Sequence, residues 1–257
     1  MTNTHTPRPH DMNSIALVTG AAGGLGRAIT QQLAQAGWQV VVVGRDGARL
    51  QQAFGNAHRH IVADCSTAAG VKALFATLKA EQRVPTALAH CIGNIRLGAA
   101  HRMAEKDFND CLSANLVSAF HTLAGFTGHL RDAGSPGAAV FVSSAAARIG
   151  TPNHEAVAAA KAGLEGLVRG AAATYASAGI RVNAVAPGMM DTPATAGLIS
   201  STTTREAAAR QYPLPGIGDP AELAALMVWL LSPPAARVTG QVWSLDGGFS
   251  TIRPLVR

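Results

Sequence analysis

The 257-residue sequence predicts an α/β fold of the doubly wound, Rossmann type: a parallel sheet of about seven strands with helices on both faces. Three observations lead there. Short apolar runs alternate along the whole chain with longer segments of helical period, the pattern of successive βα units. The second run, Trp38 to Val43, is nearly continuous in valine, as a strand covered on both faces should be. The first run passes straight into a glycine-rich turn with a helical pattern behind it.

Taken in order, residues 1–13 are polar and read as a flexible N-terminal tail, and residues 14–257 as a single domain with neither repeat nor clear linker. Ser14 to Thr19 is the first strand, after which Leu25, Ala28, Ile29, Leu33 and Ala36 recur at helical spacing. Trp38 to Val43 and His60 to Ala63 follow as strands, then a helix over about Thr67 to Glu81. Thr86 to Ile92, Ala138 to Val142, Arg181 to Ala186 and Gln241 to Leu245 complete the strands. The remaining helices are expected over Ala104 to Leu130, His154 to Ala176 and Pro220 to Leu231. The stretch 193–215, polar and threonine-rich, reads as an insertion with a short helix, where a substrate lid would sit. Its Arg205 and Arg210 fit solvated helix charges better than ligand contacts, and Trp229 and Trp243 fit core or subunit contacts.

Composition narrows the function. With 48% hydrophobic and 14% charged residues the chain is neither disordered nor low-complexity, and no apolar run reaches the length of a membrane span. The start lacks an apolar signal core, and Cys65, Cys91 and Cys111 are widely spaced with no metal-ligand pattern. Reduced thiols in a cytoplasmic protein without a metal are the expectation. The net charge of +6 comes from scattered arginines, with only four lysines, and no basic run gathers them. A small phosphate-bearing ligand explains that charge without nucleic acid.

The turn Thr19-Gly20-Ala21-Ala22-Gly23-Gly24-Leu25-Gly26 indicates what that ligand is. Gly20 permits the tight turn, Gly24 lets the backbone approach a pyrophosphate, and Gly26 lets helix pack closely on strand, which together suit a dinucleotide. A plain strand–helix turn is the alternative. The second strand ends Val43-Gly44-Arg45-Asp46, with no acid at its tip to take the ribose hydroxyls of NAD. Arg45 there can bind the 2′-phosphate of NADP through charge-assisted hydrogen bonds, or it is a solvated arginine capped by Asp46. NADP is the expected cofactor, with NAD as the alternative.

At this point the chain resembles the short-chain dehydrogenase/reductase family, from Ser14 to about Phe249. The glycine turn is similar to that family's Thr-Gly-x-x-x-Gly-x-Gly. The resemblance implies that Asp64, with Cys65 beside it, holds the adenine amino group. It implies further that Leu25, Gly93, Pro187, Gly188 and Thr192 contact the cofactor, the last three at the nicotinamide carboxamide. Asn115 takes the place of the asparagine that organises a proton-relay water, and Asp246-Gly247-Gly248 resembles the usual ending. Ser144 matches the serine that hydrogen-bonds the substrate oxygen, and Lys161 the lysine that holds the ribose and lowers the catalytic tyrosine's pKa.

The tyrosine itself is missing. Thirteen residues on from Ser144, or four back from Lys161, stands Val157, and neither Tyr175 nor Tyr212 is followed by a lysine at the required distance. The family's Asn-Asn-Ala-Gly is here His90-Cys91-Ile92-Gly93, which removes polar side chains expected to bridge strands. General acid catalysis contributes about 10²–10⁴-fold, so an ordinary ketone reduction would be slowed by that much.

Three readings are open. The protein is an atypical oxidoreductase with another acid, His154 one turn before Val157 being the candidate, or with a substrate carrying its own acid or needing hydride alone. It is a binding or structural subunit without catalysis, paired with an active homologue. Or its nicotinamide serves a non-redox step. An open, polar pocket beside Ser144 would favour the enzyme, and a cleft filled by Met189 and Met190 the subunit. The resemblance implies a dimer or tetramer through the helices over 104–130 and 154–176.

Overall fold

The computed structural model describes residues 14–253. The expected tail, residues 1–13, lies outside them. The order of elements is β1 (Ile15–Thr19), α1 (Gly24–Gln35), β2 (Gln39–Gly44), α2 (Gly47–Phe54), β3 (Arg59–Val62), α3 (Ala68–Ala80) and β4 (Ala87–His90). Then come α4 (Glu105–Leu112), α5 (Ser118–Asp132), β5 (Gly137–Val142), α6 (Glu155–Tyr175), β6 (Ile180–Pro187), α7 (Thr202–Ala209), α8 (Pro220–Leu231) and β7 (Val242–Leu245). The strands form one parallel sheet in the order β3-β2-β1-β4-β5-β6-β7. This is the doubly wound architecture that the alternation of runs predicts.

Strand residues alternate between two apolar layers because side chains of a strand point to opposite faces. Leu17, Val41, Leu88 and Phe141 pack with Leu74 of α3, Phe126 of α5 and Leu164 of α6. Their neighbours Val18, Val42, Ala89 and Val140 pack on the other face with Ile29 of α1 and Met227 of α8. Both faces being covered explains why the β2 run is unbroken valine.

Two differences from the expected elements bear on function. The helix expected over 104–130 is interrupted by a π-helical turn, Ser113–Val117, which carries Asn115. Between β2 and β3 lies α2, absent from the predicted elements, whose only buried residue is Leu50. Asp46 caps it by accepting from Arg49 N–H, so the cap belongs to the helix and leaves Arg45 uncommitted.

The strand order reverses between β1 and β4. Beyond the carboxyl ends of strands at such a switch point a crevice opens, and ligands of this fold class bind there.

Candidate functional site

A cleft of about 760 Å³ crosses those strand ends. Gly20, Ala22 and Gly23 of the first turn line it, with Gly44, Arg45 and Arg49 beyond β2, Asp64 and Ser66 beyond β3, and Arg96 and Ser113 on the opposite wall. Gly20 adopts φ +67°, and a Cβ there would lie 2.8 Å from Cys91 O, so the turn closes against the end of β4 only with glycine. A Cβ on Gly26 would lie 2.3 Å from Gly20 O, which lets α1 start tight against the turn. Asp64 accepts from Ser66 N–H at 3.0 Å and Ser66 Oγ at 2.6 Å. These Ser66 bonds, aided by the nearby Arg45, hold its carboxyl below the usual range.

At Cys91–Asn94 the cleft adjoins a second cavity of about 200 Å³, which holds Ser144, Val157, Lys161, Pro187, Gly188 and Thr192 in its walls. Leu25, Ile92, Ile95, Val142, Met190 and Leu223 make it mostly apolar, whereas a polar pocket beside Ser144 is the feature that would favour the enzyme. It is nevertheless open: Met190 is part of the wall and does not fill it. Ser144 accepts from Ala146 N–H at 3.1 Å. Asn115 donates from Nδ2 to Asn94 O, Asn94 Oδ1 and Cys111 O, all within 3.0 Å. Lys161 is buried and donates to Val142 O at 2.6 Å. Burial pulls its ammonium down to about 8, and pushes the Cys91 thiol up to about 12.

The residues present suit a dinucleotide. The glycine turn leaves a cradle that side chains would fill, and a Cβ on Gly93 would close to 2.6 Å from Asn115 Oδ1, where the two cavities meet.

Comparison with known proteins agrees with this geometry. Residues 20–250 match the family model described as enoyl-(acyl carrier protein) reductase. The chain belongs to the short-chain dehydrogenase/reductase family. It is 34% identical over 245 residues to carbonyl reductase family member 4 of Danio rerio, covering 94% of this chain and 100% of that protein. It is 31% identical over 242 residues to the 3-oxoacyl-[acyl-carrier-protein] reductase of Vibrio cholerae, covering 93% and 98%. A gluconate 5-dehydrogenase of Burkholderia cenocepacia, solved with NADP and tartrate, superposes with a TM-score of 0.88 at 25% identity, covering 93% and 96%. Members of this short-chain family among these relatives are dehydrogenases and reductases, and the chain is of that oxidoreductase family.

Several expected site residues stand elsewhere. His154 is the N-cap of α6, not part of the helix, and its Nδ1 is bonded to Pro152 O at 2.8 Å. It is not among the residues lining either cavity, because the helical phase that would aim it there starts one residue later. The Cys65 side chain is fully buried in the apolar layer with Val71 and Leu123, and burial pushes its thiol up to about 11. Gly24 faces the segment after β6: a Cβ on it would lie 3.0 Å from Pro193 Cδ, so Gly20 and Gly23 line the cleft in its stead.

The run His90-Cys91-Ile92-Gly93 does keep a polar bridge. His90 is fully buried, with Nδ1 2.9 Å from Thr19 Oγ1 and Nε2 3.1 Å from Ser118 Oγ. Ser118 spends its proton on Ala114 O, so Nε2–H donates to Ser118 and Nδ1 accepts from Thr19. Burial, reinforced by the charge of Lys161, holds this imidazole neutral, with a pKa pulled down to about 3.

Sequence reasoning missed Arg49, Arg96 and Ser66. The spacing of Arg49, four residues beyond Arg45, was the available signal, but it needs α2 to be recognised. Over residues 193–215, Arg205 and Arg210 are exposed, as expected of solvated charges, and pair with Asp191 and Glu206. No helix among the described residues is long and apolar enough to cross a membrane.

Proposed function

We propose that the protein is an NADP-preferring oxidoreductase transferring hydride between the nicotinamide and a carbonyl or hydroxyl substrate. One observation carries the reading: the cleft lined by Arg45 and Arg49 adjoins, at Cys91–Asn94, the cavity walled by Ser144 and Lys161. In this reading the arginines take the 2′-phosphate, Asp64 the adenine, and Lys161 the ribose. Gly93, Pro187, Gly188 and Thr192 border the nicotinamide, which supplies the hydride when bound. Ser144 orients the substrate oxygen. Asn115, whose amide hydrogens are used within the protein, has Oδ1 left to accept from a relay water.

A second reading, a subunit that binds nucleotide and supports an active homologue, is favoured by the mostly apolar lining beside Ser144 and by one residue. Val157, where the family places its tyrosine, is packed with Ala156, Cys111 and Met103 and cannot move a proton. For either reading we propose self-association into a dimer or tetramer. Phe108, Val117 and Phe120 are exposed along α4 to α5, and Trp229 and Trp243 stack at 5.2 Å while partly exposed.

Calorimetric titration with NADPH and NADH tests the proposal. Tight binding with NADPH preferred is expected. Binding of neither nucleotide overturns it.

A further inference from the structure

We propose that Lys161 is itself the proton donor of the reaction, giving an ammonium proton directly to the substrate oxygen that Ser144 orients. This rests on the oxidoreductase reading above and gives the site the acid it otherwise lacks. Other nearby groups are spent or turned away. Val157 carries no proton. His154 is bonded to Pro152 O at the mouth of α6. Tyr212 lines neither cavity: its hydroxyl accepts from Met189 N–H and its ring packs on Phe249. Ser143 donates to Glu165, and Thr195 to backbone carbonyls. Ser144 is free to donate a hydrogen bond, but a serine hydroxyl is too weak an acid to give its proton up.

Lys161 has protons to spare. An ammonium carries three N–H donors; one goes to Val142 O, a ribose hydroxyl takes a second in the reading above, and a third is left. No other acceptor for it is found among the described residues, although the side chain is buried in the cavity wall. The titratable groups facing it are His90 and Cys91 at the end of β4 and Cys111 on α4, none of them a carboxylate. Glu165, one turn along α6, is committed to Ser143 and Arg148. Gly93 keeps the approach clear, since a Cβ there would lie 3.4 Å from Nζ. A buried cation with idle donors and no counter-ion is matched to an oxygen that gains negative charge.

In the reductive direction the carbonyl carbon accepts hydride from the nicotinamide, which is oxidised. One Lys161 N–H bond breaks as the O–H bond of the alcohol forms, leaving a neutral amine that solvent reprotonates. Burial brings Lys161 to about 8, close to working pH yet still charged at neutrality, as a general acid requires.

Because the chain has only four lysines, protein labelled with ¹³C at lysine Cε offers a direct readout. The Lys161 signal is assigned by its loss in Lys161→Arg. It should titrate near 8, and its midpoint should move by about half a unit or more when ethyl 3-hydroxybutyrate is added to protein saturated with NADP⁺. With ethyl acetoacetate and NADPH, kcat/KM should fall above the same pH, the acid being lost there. In Lys161→Arg that fall should move up by about two units or more, and Lys161→Met should lose about 100-fold in kcat for less than about tenfold in NADPH affinity.

An alkaline limb unmoved in Lys161→Arg, or a rate loss in Lys161→Met matched by an equal loss of NADPH binding, overturns the proposal. So does a Lys161 signal indifferent to the alcohol while NADP⁺ is bound, even with no measurable turnover. Failure of wild-type protein to bind either nucleotide instead removes the oxidoreductase reading beneath it.

Discussion

The two ends of the cleft are built on different principles. At the Arg45 end the walls are largely backbone and charge: the glycine turn, the tips of β2 and β3, and the guanidinium groups of Arg45, Arg49 and Arg96. At the Lys161 end the walls are mostly apolar side chains around one buried cation, Lys161. A backbone-built site tolerates drift in side chains and depends on where Cβ atoms are absent. A site with a single charged group depends on that group and its immediate neighbours. A single substitution at a position such as Val157 therefore alters the chemistry of one end while leaving the other recognisable.

The largest effect is expected where backbone meets backbone. Gly26→Ala places a Cβ 2.3 Å from Gly20 O, a carbonyl that cannot move without opening the turn. A destabilisation of about 3 kcal/mol, at the upper end for overpacking, should appear as a lowered denaturant midpoint. NADPH binding should disappear with it. Gly37→Ala would not serve as a comparison, because φ +87° strains any side chain there, whereas Gly166→Ala, in open space within α6, should stabilise by about 0.5–1 kcal/mol.

Next comes a change of the opposite sign at the Lys161 end. Lys161 has its pKa pulled from 10.5 to about 8 by burial, so its charged form costs stability below about pH 8, and the cost fades as pH rises towards 10.5. At 1.36 kcal/mol per unit, Lys161→Met should stabilise the fold by roughly 3 kcal/mol at pH 7 and hardly at all near pH 10.5. Chemical denaturation at the two pH values checks both the sign and the window. No gain at pH 7 would mean the ammonium is better partnered than its single bond to Val142 O indicates.

The Arg45 end can be sharpened without harming the fold. Arg45 and Arg49 line the cleft with no carboxylate partner among the ion pairs found in the described residues. Each charge-assisted bond to a phosphate contributes about 1.5–3 kcal/mol. Arg45→Ala should weaken NADPH by about 10- to 100-fold, with Arg49→Ala at the lower end, and leave NADH within about threefold. Equal losses for both nucleotides in calorimetry would place the arginines away from the 2′-phosphate.

The same contrast governs what could be read before the structure. The strands themselves, both helical layers and the glycine turn follow from periodicity and from the conformational demands of glycine, whereas the order in which the strands pair is read only from the structure. The π-helical turn around Asn115 could not be foreseen, since a shift to i→i+5 bonding leaves no compositional mark between α4 and α5. Helix α2 escaped because one buried leucine is too little periodicity. His154 was misplaced by a single residue of helix boundary: Asn153 at φ +62° turns the chain so that α6 begins at Glu155. The isolation of Lys161 was beyond reach, because it depends on what β4, the π-turn and α6 fail to bring beside it.

The smallest effect tests the joint between the two ends. His90 bridges Thr19 of β1 to Ser118 of α5, and burial holds it neutral at a pKa of about 3 against 6.5 when unfolded. Between those values the unfolded chain binds a proton that the folded one refuses, so stability present above pH 6.5 is lost as pH falls. The slope is about 1.4 kcal/mol per unit, hence roughly 2 kcal/mol between pH 6.5 and 5, above the range where carboxylates such as Asp64 begin to titrate. His90→Asn cannot take up that proton, and its amide can still bond Thr19. Denaturant midpoints at pH 7 and 5 should therefore fall together less in the variant than in the wild type. An unchanged pH dependence in His90→Asn would mean that His90 is protonated in the folded state, which would require Ser118 Oγ and Thr19 Oγ1 both to accept from the ring and so break the bridge described here.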